Sequence, residues 1–164
     1  MEEAFIQNAK AYASQRQLHL AERLGFGIHG IIYVAEGKSV GGKTAIKAHR
    51  EAEPFRRELS IYLRLQEAQV LEILGFNVPQ LIQFDEGLRV IEMSVVTRPF
   101  VLDFAGAYLE MPPDFPDETW VEWEAQKRDQ FDARWPQVQA VLAALEELDI
   151  HMVDVSPSNI AFLD

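Results

Sequence analysis

The sequence predicts an α+β fold in which an antiparallel sheet and a helical part are segregated along the chain. Three observations predict it. β-Branched runs separated by glycine turns fill the first part, the apolar period turns helical at Pro54 and again after Pro116, and the charge sits at one end. The 164 residues carry 15 − 26 = −11, yet residues 1–98 hold 12 basic and 12 acidic side chains while residues 99–164 hold 3 and 14. So sharp a shift suggests two lobes, 1–98 and 99–164, joined near Thr97–Pro99. A single domain with one acidic solvated face is the other arrangement that fits.

Residues 2–17 read as a helix, with Phe5, Ala9 and Tyr12 at helical spacing. Leu18–Leu24 reads as a strand, and Gly25 to Gly30 as a glycine-rich turn. Ile31–Glu36 is β-branched, Gly37 to Gly42 has hairpin chemistry, and Lys43–His49 pairs back as the next strand. From Pro54 the positions Leu59, Tyr62, Leu63, Gln66, Val70 and Leu74 form a helical stripe, with Gly75 expected at its C-cap. Leu81–Glu86 and Leu88–Val96 form a strand pair about Glu86-Gly87. Phe100–Tyr108 is expected as a short helix, and the prolines of Met111–Pro116 make a loop. Thr119-Trp-Val-Glu122 has the capping-box pattern before a helix carrying Trp120, Trp123, Lys127 and Phe131. Pro136 opens another, with Val138, Val141, Leu142 and Leu145 on one face. Ile150–Asp154 and Ile160–Leu163 read as short strands around a Ser-Pro-Ser turn.

Composition narrows the function. An apolar fraction of 48% with 10% aromatics supports a packed core. No apolar run approaches the ~20 residues of a membrane span, and the acidic N-terminus lacks a leader pattern. The absence of cysteine excludes disulfides and thiolate metal sites and fits a reducing cytoplasm. The acid excess argues against nucleic-acid binding, which needs clustered Lys and Arg. The four histidines lack metal-ligand spacing, and Ser156 and Ser158 lack a neighbouring base. Trp120, Trp123 and Phe131 read as helix core rather than a stacking platform.

Four signals carry chemistry. Gly25-x-Gly27-x-x-Gly30 lies between strands, where glycines let backbone N–H groups approach phosphate oxygens; a plain hairpin turn would look the same. Lys47, in Ala45-Ile46-Lys47, would lie beneath that turn as a point charge. Glu58 falls early on the following helix and can pair with Lys47, with Glu51 and Glu53 as rivals. Asp154 and Asn159, five apart across a proline-containing loop, can face one site as a hydroxyl-orienting carboxylate and a Mg²⁺-holding carbonyl.

In this order the four resemble the protein-kinase-like superfamily over about residues 18–164. The resemblance implies a kinase-like N-lobe of antiparallel sheet plus one long helix, then a shortened, mostly helical C-lobe. It assigns Gly25, Gly27 and Gly30 to the phosphate-covering loop, Lys47 to the phosphates and Glu58 to Lys47. The strand Glu92–Val96, with Glu92 and Ser94, would meet adenine through its backbone. Asp154 would be the catalytic aspartate and Asn159 a metal ligand, with ATP and Mg²⁺ as the bound species. The family's metal-binding Asp-Phe-Gly follows the loop by about a dozen residues, beyond Asp164, and Asp164, only five residues past Asn159, suits the end of the strand after the loop. Met152 and Ser156 stand where the family has Arg and a basic residue, and Ser156 removes positive charge from the developing γ-phosphate. The expectation is a degenerate, pseudokinase-type ATP-binding protein. A minimal active phosphotransferase and a small acidic interaction domain are the alternatives. The shortened C-lobe is expected to expose an edge near Ile160–Leu163, covered by a second copy or a partner chain.

Overall fold

The computed structural model describes residues 2–38 and 42–163. The tip of the Gly37–Gly42 turn and Asp164 lie outside the described residues. The fold is α+β, built on a multi-stranded antiparallel sheet.

Helix α1 (Ala4–Gln15) leads into β1 (His19–Phe26), β2 (Gly30–Gly37) and β3 (Gly42–His49). Helix α2 (Ala52–Glu67) follows, then the short hairpin β4 (Glu72–Ile73) and β5 (Phe76–Asn77), and the pair β6 (Leu81–Asp85) and β7 (Val90–Ser94). Strands β8 (Phe100–Val101) and β9 (Ala107–Leu109) precede α3 (Asp117–Phe131) and α4 (Trp135–Glu146), and β10 (Ile150–Met152) and β11 (Ile160–Ala161) come last. The main sheet has the order β1-β2-β3-β7-β6, antiparallel throughout. A second sheet runs β11-β8-β5-β4, and β9 pairs with β10.

Strand β3 is buried on both faces, and alternation splits its side chains between two cores. Ile46 and Ala48 face α1 and pack with Phe5, Ala9, Tyr12 and Val90. Ala45 and Lys47 face the other way, toward α2. That second core continues from Phe55, Leu59 and Tyr62 through Phe76, Val101 and Phe104 to Trp135, Val138, Leu145 and Ile160.

Four local expectations change. Helix α2 ends at Glu67, and Gln69 (φ 58°) takes the left-handed position expected of Gly75. Leu74 and Gly75 both have positive φ and form the two-residue turn between β4 and β5, which leaves Leu74 exposed. Phe100–Tyr108 is not a helix: two strand pieces flank a turn in which Asp103 has φ 67°. The capping-box reading also fails. Helix α3 starts at Asp117 behind Pro116, so Thr119 already lies within its first turn, where Asp117 and Glu118 complement the helix dipole. Strand β11 is the outer strand of its sheet among the described residues, with Leu163 exposed beyond it.

Candidate functional site

The site is built around Lys47. Its Nζ lies 2.9 Å from Glu58 Oε1 and 3.1 Å from Oε2, and donates to Asp103 Oδ1 at 3.0 Å. Glu58 is fully buried and also binds His49 Nε2 at 2.7 Å through Oε1, while His49 Nδ1 lies 3.2 Å from the Arg89 carbonyl. Lys47 and His49 share one face of β3, and Glu58 reaches both from α2. The rival Glu53 pairs with Arg57 on its own helix. Burial opposes ionisation of Glu58, but the charge of Lys47 and the hydrogen bond from His49 outweigh it and hold the carboxyl at about 2. Burial likewise pulls Lys47 down, yet Glu58 and Asp103 outweigh it and keep its pKa above the ordinary value. The ammonium is therefore charged and held in place before any ligand arrives.

Two adjoining cavities meet at this lysine. One, about 360 Å³, is lined chiefly by apolar side chains, among them Leu24, Ile32, Ala45, Met93, Val95 and Leu102, with Ser94 at its wall. The other, about 270 Å³, lies under the turn Gly25 to Gly30 and is bordered by Lys47, Asp103 and Asp154. Lys47, Asp103 and Ile32 line both. A larger hollow of about 490 Å³ near Gln66 and Pro79 has no charged side chain in its wall.

The three glycines differ in what the fold demands. Gly30 has φ 151°, and a Cβ there would lie 1.9 Å from the Ala48 carbonyl oxygen, so only glycine fits. At Gly27 a Cβ would meet nothing within 4 Å, and at Gly25 only Ile32 at 3.7 Å. Arg50 fixes the turn: its backbone N–H donates to the His29 carbonyl, its Nε donates to the Gly27 carbonyl at 3.3 Å, and its guanidinium stacks on Phe5 and pairs with Glu3.

Asp103 did not emerge from the sequence reading, because its segment was taken for helix. The signal was present as Asp103-Phe104-Ala105-Gly106. Strand β8 feeds directly into this tetrad and pairs antiparallel with β11, which follows the Asp154 loop. Pairing thus brings the Asp103 carboxylate beside the loop. Phe104 is fully buried, edge-on to Tyr62 of α2. Gly106 lets the chain pass Asp154 closely, since a Cβ there would lie 2.7 Å from Asp154 Cβ.

The side chains of two assigned residues line neither cavity. Glu92 pairs in register with Ile46, so its side chain points to α1, where Tyr12 Oη donates to Oε1 at 2.8 Å and Arg16 Nε at 3.0 Å. It borders neither cavity. Asn159 is buried and its carboxamide closes its own loop: Nδ2 donates to the Asp154 carbonyl at 2.6 Å, and Oδ1 accepts from the Ser156 N–H at 2.8 Å. Its side chain thus braces the loop. Among the described residues no group of three His, Cys, Asp or Glu gathers as a standing metal site. Asp103 suits a different arrangement, because Mg²⁺ is commonly held by one or two carboxylates together with substrate phosphates.

Among the described residues, no helix is long and apolar enough to cross a membrane. The chain matches no protein-family model and no curated protein.

Proposed function

We propose that the chain is a kinase-like nucleotide-binding protein whose cleft takes Mg·ATP and presents its γ-phosphate to Asp154. The observation that carries this reading is the charged Lys47, anchored by Glu58 and bordering, with Asp103 and Asp154, the cavity beneath a glycine turn. Gly27, which has no internal steric need to be glycine, supports it, because a ligand's approach supplies the need. Adenine would occupy the apolar cavity against Ala45 and Met93, and the phosphates the space under Gly25–Gly30. Lys47 then exchanges its bond to Asp103 for phosphate oxygens, which frees the Asp103 carboxylate. Mg²⁺ would be held by Asp103 and phosphate oxygens, and would neutralise phosphate charge. In transfer, an acceptor hydroxyl oxygen bonds to the γ-phosphorus, the bond to the β–γ bridging oxygen breaks to leave ADP, and Asp154 takes the hydroxyl proton.

Binding without transfer is the second reading. The inward-turned Asn159 and the uncharged Ser156 favour it. One series separates the two. ATP, with Mg²⁺, raises the melting temperature of the wild-type protein, and Lys47→Ala abolishes that shift. Absence of a shift in the wild type rejects the cleft. Phosphate release or transfer above an Asp154→Ala control then distinguishes an enzyme from a binding module.

A further inference from the structure

Helix α3 carries a buried lysine that the cleft has so far left unused. Lys127 is 8% exposed and forms no ion pair among the described residues; its hydrogen bond is a long one, 3.4 Å, to Gln130 Oε1 on the same helix. Lysines are seldom buried this far without an acid partner. The surroundings make its isolation more notable, since residues 99–164 hold 14 acidic side chains against 3 basic ones. Its place relative to the loop is defined by the helix. Trp123, one turn earlier on the same face, donates its Nε1–H to the Val153 carbonyl at 3.0 Å, next to Asp154. Burial lowers the pKa of Lys127, and the nearby Asp154 charge works against that lowering. The Lys127 ammonium thus lies near Asp154 with no carboxylate in direct contact among the described residues, and has donors left for a further anion.

Resting on the cleft reading above, we propose that Lys127 contacts the terminal phosphate of a bound nucleoside triphosphate. It would supply from α3 the positive charge that Ser156 leaves out of the loop. The terminal phosphoryl oxygens gather charge as the bond to the leaving group lengthens, and a preorganised cation beside them stabilises that charge. A nucleoside diphosphate lacks this group and so would not reach Lys127.

The test is calorimetric titration of the full chain with Mg·ADP and with a non-hydrolysable Mg·ATP analogue. Wild type, Lys127→Met and Lys127→Arg are compared. The wild type binds the triphosphate about tenfold more tightly than the diphosphate, as one charge-assisted phosphate contact implies. Lys127→Met loses that preference and keeps its diphosphate affinity, while Lys127→Arg retains it. Without nucleotide, Lys127→Met melts at or above the wild-type temperature, because it removes a desolvated charge. A preference that survives in Lys127→Met overturns the proposal and leaves the cleft standing. A wild type that binds neither nucleotide overturns both. Should Lys127→Met not fold, the same ratio measured on Lys127→Gln decides.

Discussion

Two buried carboxylates lie on opposite sides of the main sheet, and their surroundings differ in one respect. Glu58 faces Lys47 and His49 beside two cavities. Glu92 faces Tyr12 and Arg16 under α1 and borders neither of them. Both are fully buried and both bind a cation and a second group. The chemistry of a buried carboxylate therefore does not by itself mark a site. What marks it is a partner cation left with room in front of it. Around Glu92, Tyr12 and Arg16 both bind Oε1 and clamp α1 to β7; around Glu58 the partner Lys47 also reaches Asp103 and open space.

The sharpest way to break this contrast is to delete each carboxylate. Glu58→Ala leaves Lys47 without its buried partner and is expected to cost about 3–5 kcal/mol in denaturant unfolding, with loss of any nucleotide-dependent stabilisation. Glu92→Ala leaves the Tyr12 hydroxyl unpaired and costs about 1–3 kcal/mol, yet its melting temperature still rises with Mg·ATP. Equal loss of the nucleotide response in both variants would erase the distinction between the two faces.

Acid provides a gentler probe. The Glu58 carboxyl titrates near 4.5 when unperturbed and at about 2 in the folded chain. A depressed folded pKa means that its contribution is present above about 4.5 and is lost as pH falls toward about 2. Urea midpoints between those values should decline in the wild type and decline less in Glu58→Gln. Identical slopes would show that Glu58 is not held ionised. The smallest effect is expected at the glycine turn. Gly27→Ala meets no atom within 4 Å and should change stability by less than about 0.5 kcal/mol, while weakening the nucleotide-induced shift. An unchanged shift would return the turn to an ordinary hairpin.

Much of the cleft was legible in the sequence because its parts are short-range or periodic. The glycines sit in one hairpin, Lys47 falls on an alternating strand, and Glu58 occupies the strand-facing side of an amphipathic helix. The direction of the Glu92 side chain needs register: only the pairing of Ile46 with Glu92 shows that it shares the α1 face. Asp103 was missed because its neighbour in space, the loop after β10, is far away in sequence. Its segment also has too few residues in each strand for a period to show. Asn159 was given a ligand's role from its spacing to Asp154, but the same spacing lets its carboxamide bond across the loop.

The pairing of β9 with β10 has a consequence for how such a chain can change. Leu109 lies opposite Ile150, the Glu110 N–H donates to the Asp149 carbonyl at 2.8 Å, and Arg64 of α2 holds Glu110 at 2.5 Å and the Leu148 carbonyl at 2.8 Å. Residues 110–149, with α3 and α4, thus leave and re-enter the body through one stapled neck. Lengthening the largely exposed stretch 111–116 adds little closure entropy, about 0.6 kcal/mol for each doubling of a flexible loop. Insertions there are therefore absorbed outside the neck, and Asp154, just beyond it, keeps its position.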